Sequence, residues 1–158
     1  QEDRDIAWSG GEGNKDFKTF PWYVSQYSKN VEGMSIKRAL PVDILHLPHG
    51  DYHKDTDHLN FAEANGAVHQ GSLDEQWALM QDKRNDYPNF DSSWKVLTVW
   101  MTANDVMDHC DYDINGTDYL NNWVSKFDEL LTNITTSTSN IYVNLISTLD
   151  LSYIHRVQ

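Results

Sequence analysis

Two apolar runs bracketing an amphipathic segment constrain the fold more than any other feature of this chain. The first run, residues 95–101 (KVLTVWM), is almost continuously apolar from Val96 to Met101. The second, residues 140–150 (NIYVNLISTLD), is rich in Ile, Leu and Val. Between them, residues 118–133 place Leu120, Trp123, Val124, Phe127, Leu130 and Leu131 at i, i+3, i+4, i+7 spacing. That spacing predicts a helix with one apolar face. Short continuous apolar runs predict strands buried on both faces. Strand, helix, strand in this order is a crossover unit, and crossover units join parallel strands.

The upstream segments extend the pattern. Residues 72–86 (SLDEQWALMQDKRND) predict a second helix. Ser72 and Glu75 have the spacing of a capping box, and Leu73, Trp77 and Met80 share one face. Residues 19–30 (TFPWYVSQYSKN) predict a short helix with Thr19 as N-cap and Pro21 in the first turn, Phe20, Val24 and Tyr27 sharing a face. Residues 34–45 have strand character interrupted by Pro41. Residues 1–16 and 46–58 read as loops, the first Gly-rich and the second His-rich. Neither an internal repeat nor a long linker is visible, so residues 1–158 are expected to form one α/β domain.

Charge narrows the partners. The formal net charge is −12. No basic stripe exists for nucleic acid, and anionic membranes would repel the chain. Neutral or zwitterionic lipid remains compatible. No apolar run reaches the length of a membrane span. Two sequons, Asn115-Gly116-Thr117 and Asn133-Ile134-Thr135, fit a secreted glycoprotein.

Candidate functional residues cluster in three places. Asn104 and Asp105 follow the strand of residues 95–101, and α/β proteins bind ligands at the C-terminal ends of parallel strands. There Asn104 reads either as a polar ligand contact or as a helix N-cap. Trp100, on the same strand, is the aromatic best placed to meet an apolar ligand. His46, His49, His53 and His58, with Asp51, Asp55 and Asp57, could hold zinc or copper, but their spacing matches no common zinc motif, and a solvated polar loop is the simpler reading. No cofactor is otherwise implied. Cys110 is the single cysteine, so it reads as an intermolecular disulfide or as a small buried residue.

Several segments, in order, resemble the phospholipase B branch of the GDSL or SGNH hydrolases. RDIAWSGGEGN (4–14) is similar to that branch's R-G-L-S-W-S-x-G-G-D segment. LNFAEANGAVHQGSLDEQWALM (59–80) is similar to its L-N-x-A-x-x-G-A segment and the helix that follows. DSSWKVLTVWMTANDVMDHC (91–110) is similar to its E-D-W-K…G-G-N-D-L-C-D-x-C segment, and YVNLISTLDL (142–151) to its V-N-L-V strand. The resemblance implies a three-layer α/β/α fold with a flavodoxin-like parallel sheet, and hydrolysis of lipid esters by a Ser-His-Asp triad. It implies that Gly66 and Asn104 supply oxyanion-hole donors.

Departures from the family pattern shape the expected function. No Gly-Asp-Ser-Leu stretch is present, and Gly71-Ser72-Leu73 is better explained by helix capping. The family's Asp-x-x-His motif follows its last strand, whereas Asp55-Thr56-Asp57-His58 precedes Asn104. Thr102 replaces the first Gly of the G-x-N-D motif, and Met107 and Cys110 stand where the family has paired cysteines. The expectation is therefore a partial SGNH-like domain without its first strand and C-terminal segment. It would be secreted, non-catalytic as this chain, and able to hold a lipid-like apolar ligand in the former acyl cleft. A missing central strand leaves backbone groups unpaired, so a complementing chain, a homo-oligomer or a rebuilt sheet is expected. Two alternatives are one segment of an active Ser-dependent lipid esterase, and a structural assembly subunit.

Overall fold

The computed structural model describes residues 6–36, 52, 54–63, 66–101, 103–112 and 116–146, with only the backbone described for 108–112. The architecture is mixed α/β, with a two-stranded parallel sheet among these residues. The chain divides into two compact units, one built mainly from residues 1–65 and the other mainly from residues 85–158 together with 66–78.

The first unit is organised by polar contacts. Helix α1 (Phe20–Ser25) starts as its sequence predicts. The Thr19 hydroxyl accepts from the Trp22 N–H at 3.2 Å and donates to the Gly11 carbonyl at 2.7 Å. One fully buried hydroxyl thus caps a helix and ties it to the Gly-rich segment. The helix ends at Ser25, too early for Tyr27 to share its buried side, and Phe20 and Tyr27 are exposed. The apolar face expected there is therefore not a core face. Ser35 bridges to Gly11 in parallel fashion, and Asn60 Nδ2 donates to Ser35 Oγ at 2.9 Å. The Leu59 N–H reaches the Gly33 carbonyl. Gly33 has φ +84, and a Cβ there would meet Leu59 Cγ at 2.8 Å, so both conformation and space require glycine. Residues 54–57, expected as loop, form the single-turn helix α2 (Lys54–Asp57) with Asp57 fully buried. The strand character of residues 34–45 falls almost wholly outside the described residues.

The second unit holds the apolar core. A 3-10 turn (Val68–Gln70) leads through Gly71, at φ +87, into α3 (Ser72–Lys83). The expected capping box does not form. Ser72 Oγ accepts from the Ala67 N–H, and the Glu75 N–H donates to the Gly71 carbonyl. The helix starts at Ser72 itself, so Gly71 holds the position before it and its carbonyl takes the Glu75 N–H, while the Ser72 hydroxyl turns to Ala67. Leu73 is buried in this core as expected, and Met80, on the part of α3 that belongs to the first unit, is buried as well.

Strand β1 (Lys95–Val99) is followed by α4 (Ala103–Tyr112), α5 (Gly116–Ser137) and β2 (Ile141–Leu145). The strands pair in parallel, with Lys95 opposite Ile141 and Val99 opposite Leu145. The predicted crossover is therefore present. It closes through Thr138–Asn140, where Asn140 takes φ +53, a conformation Asn tolerates better than most side chains. Leu97, Val99, Met101, Ile141 and Val143 pack with Phe127, Leu130 and Ile134 of α5.

Burial is one-sided, which corrects the expectation of strands buried on both faces. Val96 is 52% exposed, Trp100 49% and Tyr142 63%. These side chains alternate with the core-facing set, as a pleated strand requires. Among the described residues, a helix layer covers one face of the pair, and Val96, Trp100 and Tyr142 on the other face are about half exposed or more. On α5, Leu120 and Val124 are also exposed, so its buried stripe runs through Phe127, Leu130 and Ile134 and is narrower than the sequence pattern.

Candidate functional site

Helix α4 begins just beyond the C-terminal end of β1, so Asn104 and Asp105 fall in its first turn. Asn104 is thus inside the helix and does not serve as its N-cap residue. Its side chain crosses to the 66–69 segment, where Asn104 Nδ2 donates to the Gly66 carbonyl at 2.9 Å. A carbonyl can only accept, so this contact fixes which end of the amide faces Gly66. It consumes one of the two Nδ2 hydrogens. The two residues expected to form an oxyanion hole are therefore neighbours, although 38 positions separate them. Gly66 turns its carbonyl, not its N–H, toward Asn104 in this contact.

Asp105 is the centre of the arrangement. It is 1% exposed. Its Oδ1 accepts from the Val68 N–H at 2.8 Å, the His69 N–H at 3.3 Å and the Tyr119 hydroxyl at 2.7 Å. His69 Nδ1 lies 3.4 Å from the same oxygen. A buried carboxylate is costly unless donors surround it, and here backbone, phenol and imidazole converge on one atom. Its position in the first turn of α4 adds the favourable end of the helix dipole. Oδ2 is buried with no hydrogen-bond partner, so all of the carboxylate's bonding is one-sided.

Tyr119 reaches Asp105 from the first turn of α5, and its ring tilts against His69 with centroids 5.5 Å apart. Neither His69 nor Tyr119 is marked by any motif in the sequence. They sit 36 residues before and 14 residues after Asp105. No local periodicity marks such pairs. The only sequence signal was a polar, aromatic residue beginning an otherwise amphipathic helix.

Trp100 follows β1 directly and is half exposed, on the sheet face opposite α5. His46, His49, His53, Asp51, Asn115 and Thr102 lie outside the described residues. Cys110 is in α4, and its side chain lies outside the description. Met107 is exposed on the same helix. His58 is described, with φ +52 beside the buried Asp57. Among the described residues, no three His, Cys, Asp or Glu side chains converge as a metal site. Asn133 lies within α5, and the hydroxyls of Thr136 and Ser137 both donate to its backbone carbonyl. No helix of the described residues is long and apolar enough to cross a membrane.

The chemistry available is that of polarisation. An amide with one hydrogen committed keeps a second N–H of fixed direction. Such a donor, held without reorganisation at a strand's end, suits an oxygen that gains negative charge during a reaction. No family model, curated protein or solved structure matches this chain.

Proposed function

We propose that the chain is part of a secreted phospholipase-B-like SGNH hydrolase, a three-layer α/β/α protein that acts on lipid esters. The single observation that carries this reading is the Asn104–Gly66 contact at 2.9 Å. Family resemblance nominated these two residues as a pair, and the fold brings them together across 38 positions. Asn104 presents its remaining N–H to the acyl carbonyl oxygen. As that oxygen takes on charge, the amide stabilises it without moving. Trp100, at the same strand end, lies along the acyl chain. The nucleophilic Ser and the base His belong to other segments of the assembled protein. The open face of the β1–β2 pair supports addition of further structure there, since parallel sheets are ordinarily covered on both faces.

Asn104→Ala in the native assembled material tests the reading. Its kcat for a medium-chain acyl ester should fall roughly 10²–10³-fold, the usual cost of removing one oxyanion donor, with KM little changed. A fluorophosphonate probe should label a Ser in a tightly bound companion segment.

A second reading, a non-catalytic lipid binder, is favoured by the exposed Val96, Trp100 and Tyr142 on one sheet face. It requires that native material take no fluorophosphonate label, while a fatty acyl ester changes tryptophan fluorescence saturably and Trp100→Ala abolishes the change.

A further inference from the structure

We infer that Tyr119 and Asp105 are positioning residues that set the direction of the Asn104 amide. This rests on the reading of Asn104 as an oxyanion donor. The path is continuous. The Tyr119 hydroxyl donates to Asp105 Oδ1 at 2.7 Å. The same oxygen accepts from the Val68 and His69 N–H groups, at 2.8 and 3.3 Å. Those bonds hold the backbone that presents the Gly66 carbonyl, and that carbonyl holds Asn104 Nδ2 at 2.9 Å. Each link fixes the next, and none of Tyr119, Asp105, Val68 or His69 need touch substrate.

Geometry explains why an acid is used. One carboxylate oxygen can accept several donors at once, and a charged acceptor bonds them more strongly than a neutral one. Asp105 lies next to Asn104 on the same helical turn, so it clamps the 66–69 segment beside the point where Asn104 meets it. Tyr119 brings α5 into the same set. The phenol ring also packs on His69, so Tyr119→Phe removes the hydroxyl while keeping the ring contact. Asp105→Asn keeps an acceptor oxygen and removes the charge.

The first readout needs no activity. In the ¹⁵N-labelled chain, the Asn104 side-chain amide is assigned by its loss in Asn104→Ala. In Tyr119→Phe its resonance should move toward the position of free amides, and its hydrogen exchange should quicken about tenfold to a hundredfold, the effect of losing one hydrogen bond to a charged acceptor. Asp105→Asn should produce a change of the same sign, and supplies the readout if Tyr119→Phe does not fold. In native material that hydrolyses esters, Tyr119→Phe should lower kcat about tenfold with KM within about twofold. Asp105→Ala should lower it further, and Asp105→Asn should restore part of the loss.

An unmoved Asn104 amide in folded Tyr119→Phe and Asp105→Asn overturns the positioning role. So does a kcat loss that Asp105→Asn fails to restore relative to Asp105→Ala. If the amide moves as expected but wild-type native material hydrolyses no ester, the positioning path stands and the esterase reading fails instead.

Discussion

The two units of this chain are ordered by different chemistry. Among the described residues of the unit containing α1, the fully buried side chains are polar: Thr19, Ser35 and Asp57, with hydroxyls tied to the glycine carbonyls of residues 10 and 11. In the unit containing β1 and β2, Ile134 and Val68 are buried at the centre of an apolar cluster, and polar burial is confined mostly to Ser72 and Asp105. Hydrophobic stabilisation is non-directional and grows with area, whereas hydrogen bonds depend on geometry and contribute little net energy each. The first kind of unit is specified by a few angles, the second by shape and volume. That difference predicts where each is fragile.

The largest effect should come from the apolar core. Ile134→Ala should destabilise the second unit by about 2–5 kcal/mol, because Ile134 is fully buried and its neighbours can fill the hole only in part. Urea unfolding followed by tryptophan emission, to which Trp77 and Trp123 beside this core contribute, measures it. In the first unit, Gly33→Ala should cost at least about 1–2 kcal/mol from the left-handed backbone alone, with the Leu59 clash adding to it. Thr19→Ala should cost about 1 kcal/mol for the lost cap, and more for the Gly11 carbonyl left without its donor. Amide exchange localises both losses. If Thr19→Ala and Gly33→Ala leave the exchange of residues 10–36 no faster than in the wild type, the contrast between the units is broken.

The smallest effect should come from the surface pair Lys126–Asp74, which links α5 to α3 at 2.8 Å. The Asp74 carboxylate, by hydrogen bond and charge, holds Lys126 above its ordinary value of 10.5. A lysine raised in the folded state adds stability that is fully present below 10.5 and lost as pH rises through the raised value. Lys126→Met should therefore lower the Tm slightly at pH 8, by less in high salt, and the gap to wild type should close in strongly alkaline buffer. A gap that persists unchanged there would assign the effect to packing of the lysine stem.

Legibility in the sequence followed locality, not the boundary between the units. The crossover of β1, α5 and β2 was readable because its apolar spacing is local and regular. Thr19 before Pro21 was readable because capping is local chemistry. One-sided burial of β1 was not, since an apolar Val96 or Trp100 looks the same in sequence whether or not a second layer covers it. The Ser72 capping box is absent because the helix begins at Ser72, one residue earlier than the box requires, and boundaries of that precision are not written in the spacing. At the candidate site, Asn104 and Asp105 are marked by their place after an apolar strand and Gly66 by resemblance, while nothing marks His69 and Tyr119. Their meeting at Asp105 is a matter of tertiary placement, which no spacing rule encodes.

The bond set around Asp105 also has a kinetic consequence. It joins groups 36 and 37 residues upstream to one 14 residues downstream. Loop closure must precede such contacts, whereas α3 and α5 can begin forming from local contacts alone. In refolding from urea, far-ultraviolet helicity should therefore return before the Asn104 amide reaches its final environment. The corner around Asp105 would be among the last parts of the molecule to assemble, and a chain caught partway would be helical with that corner still open.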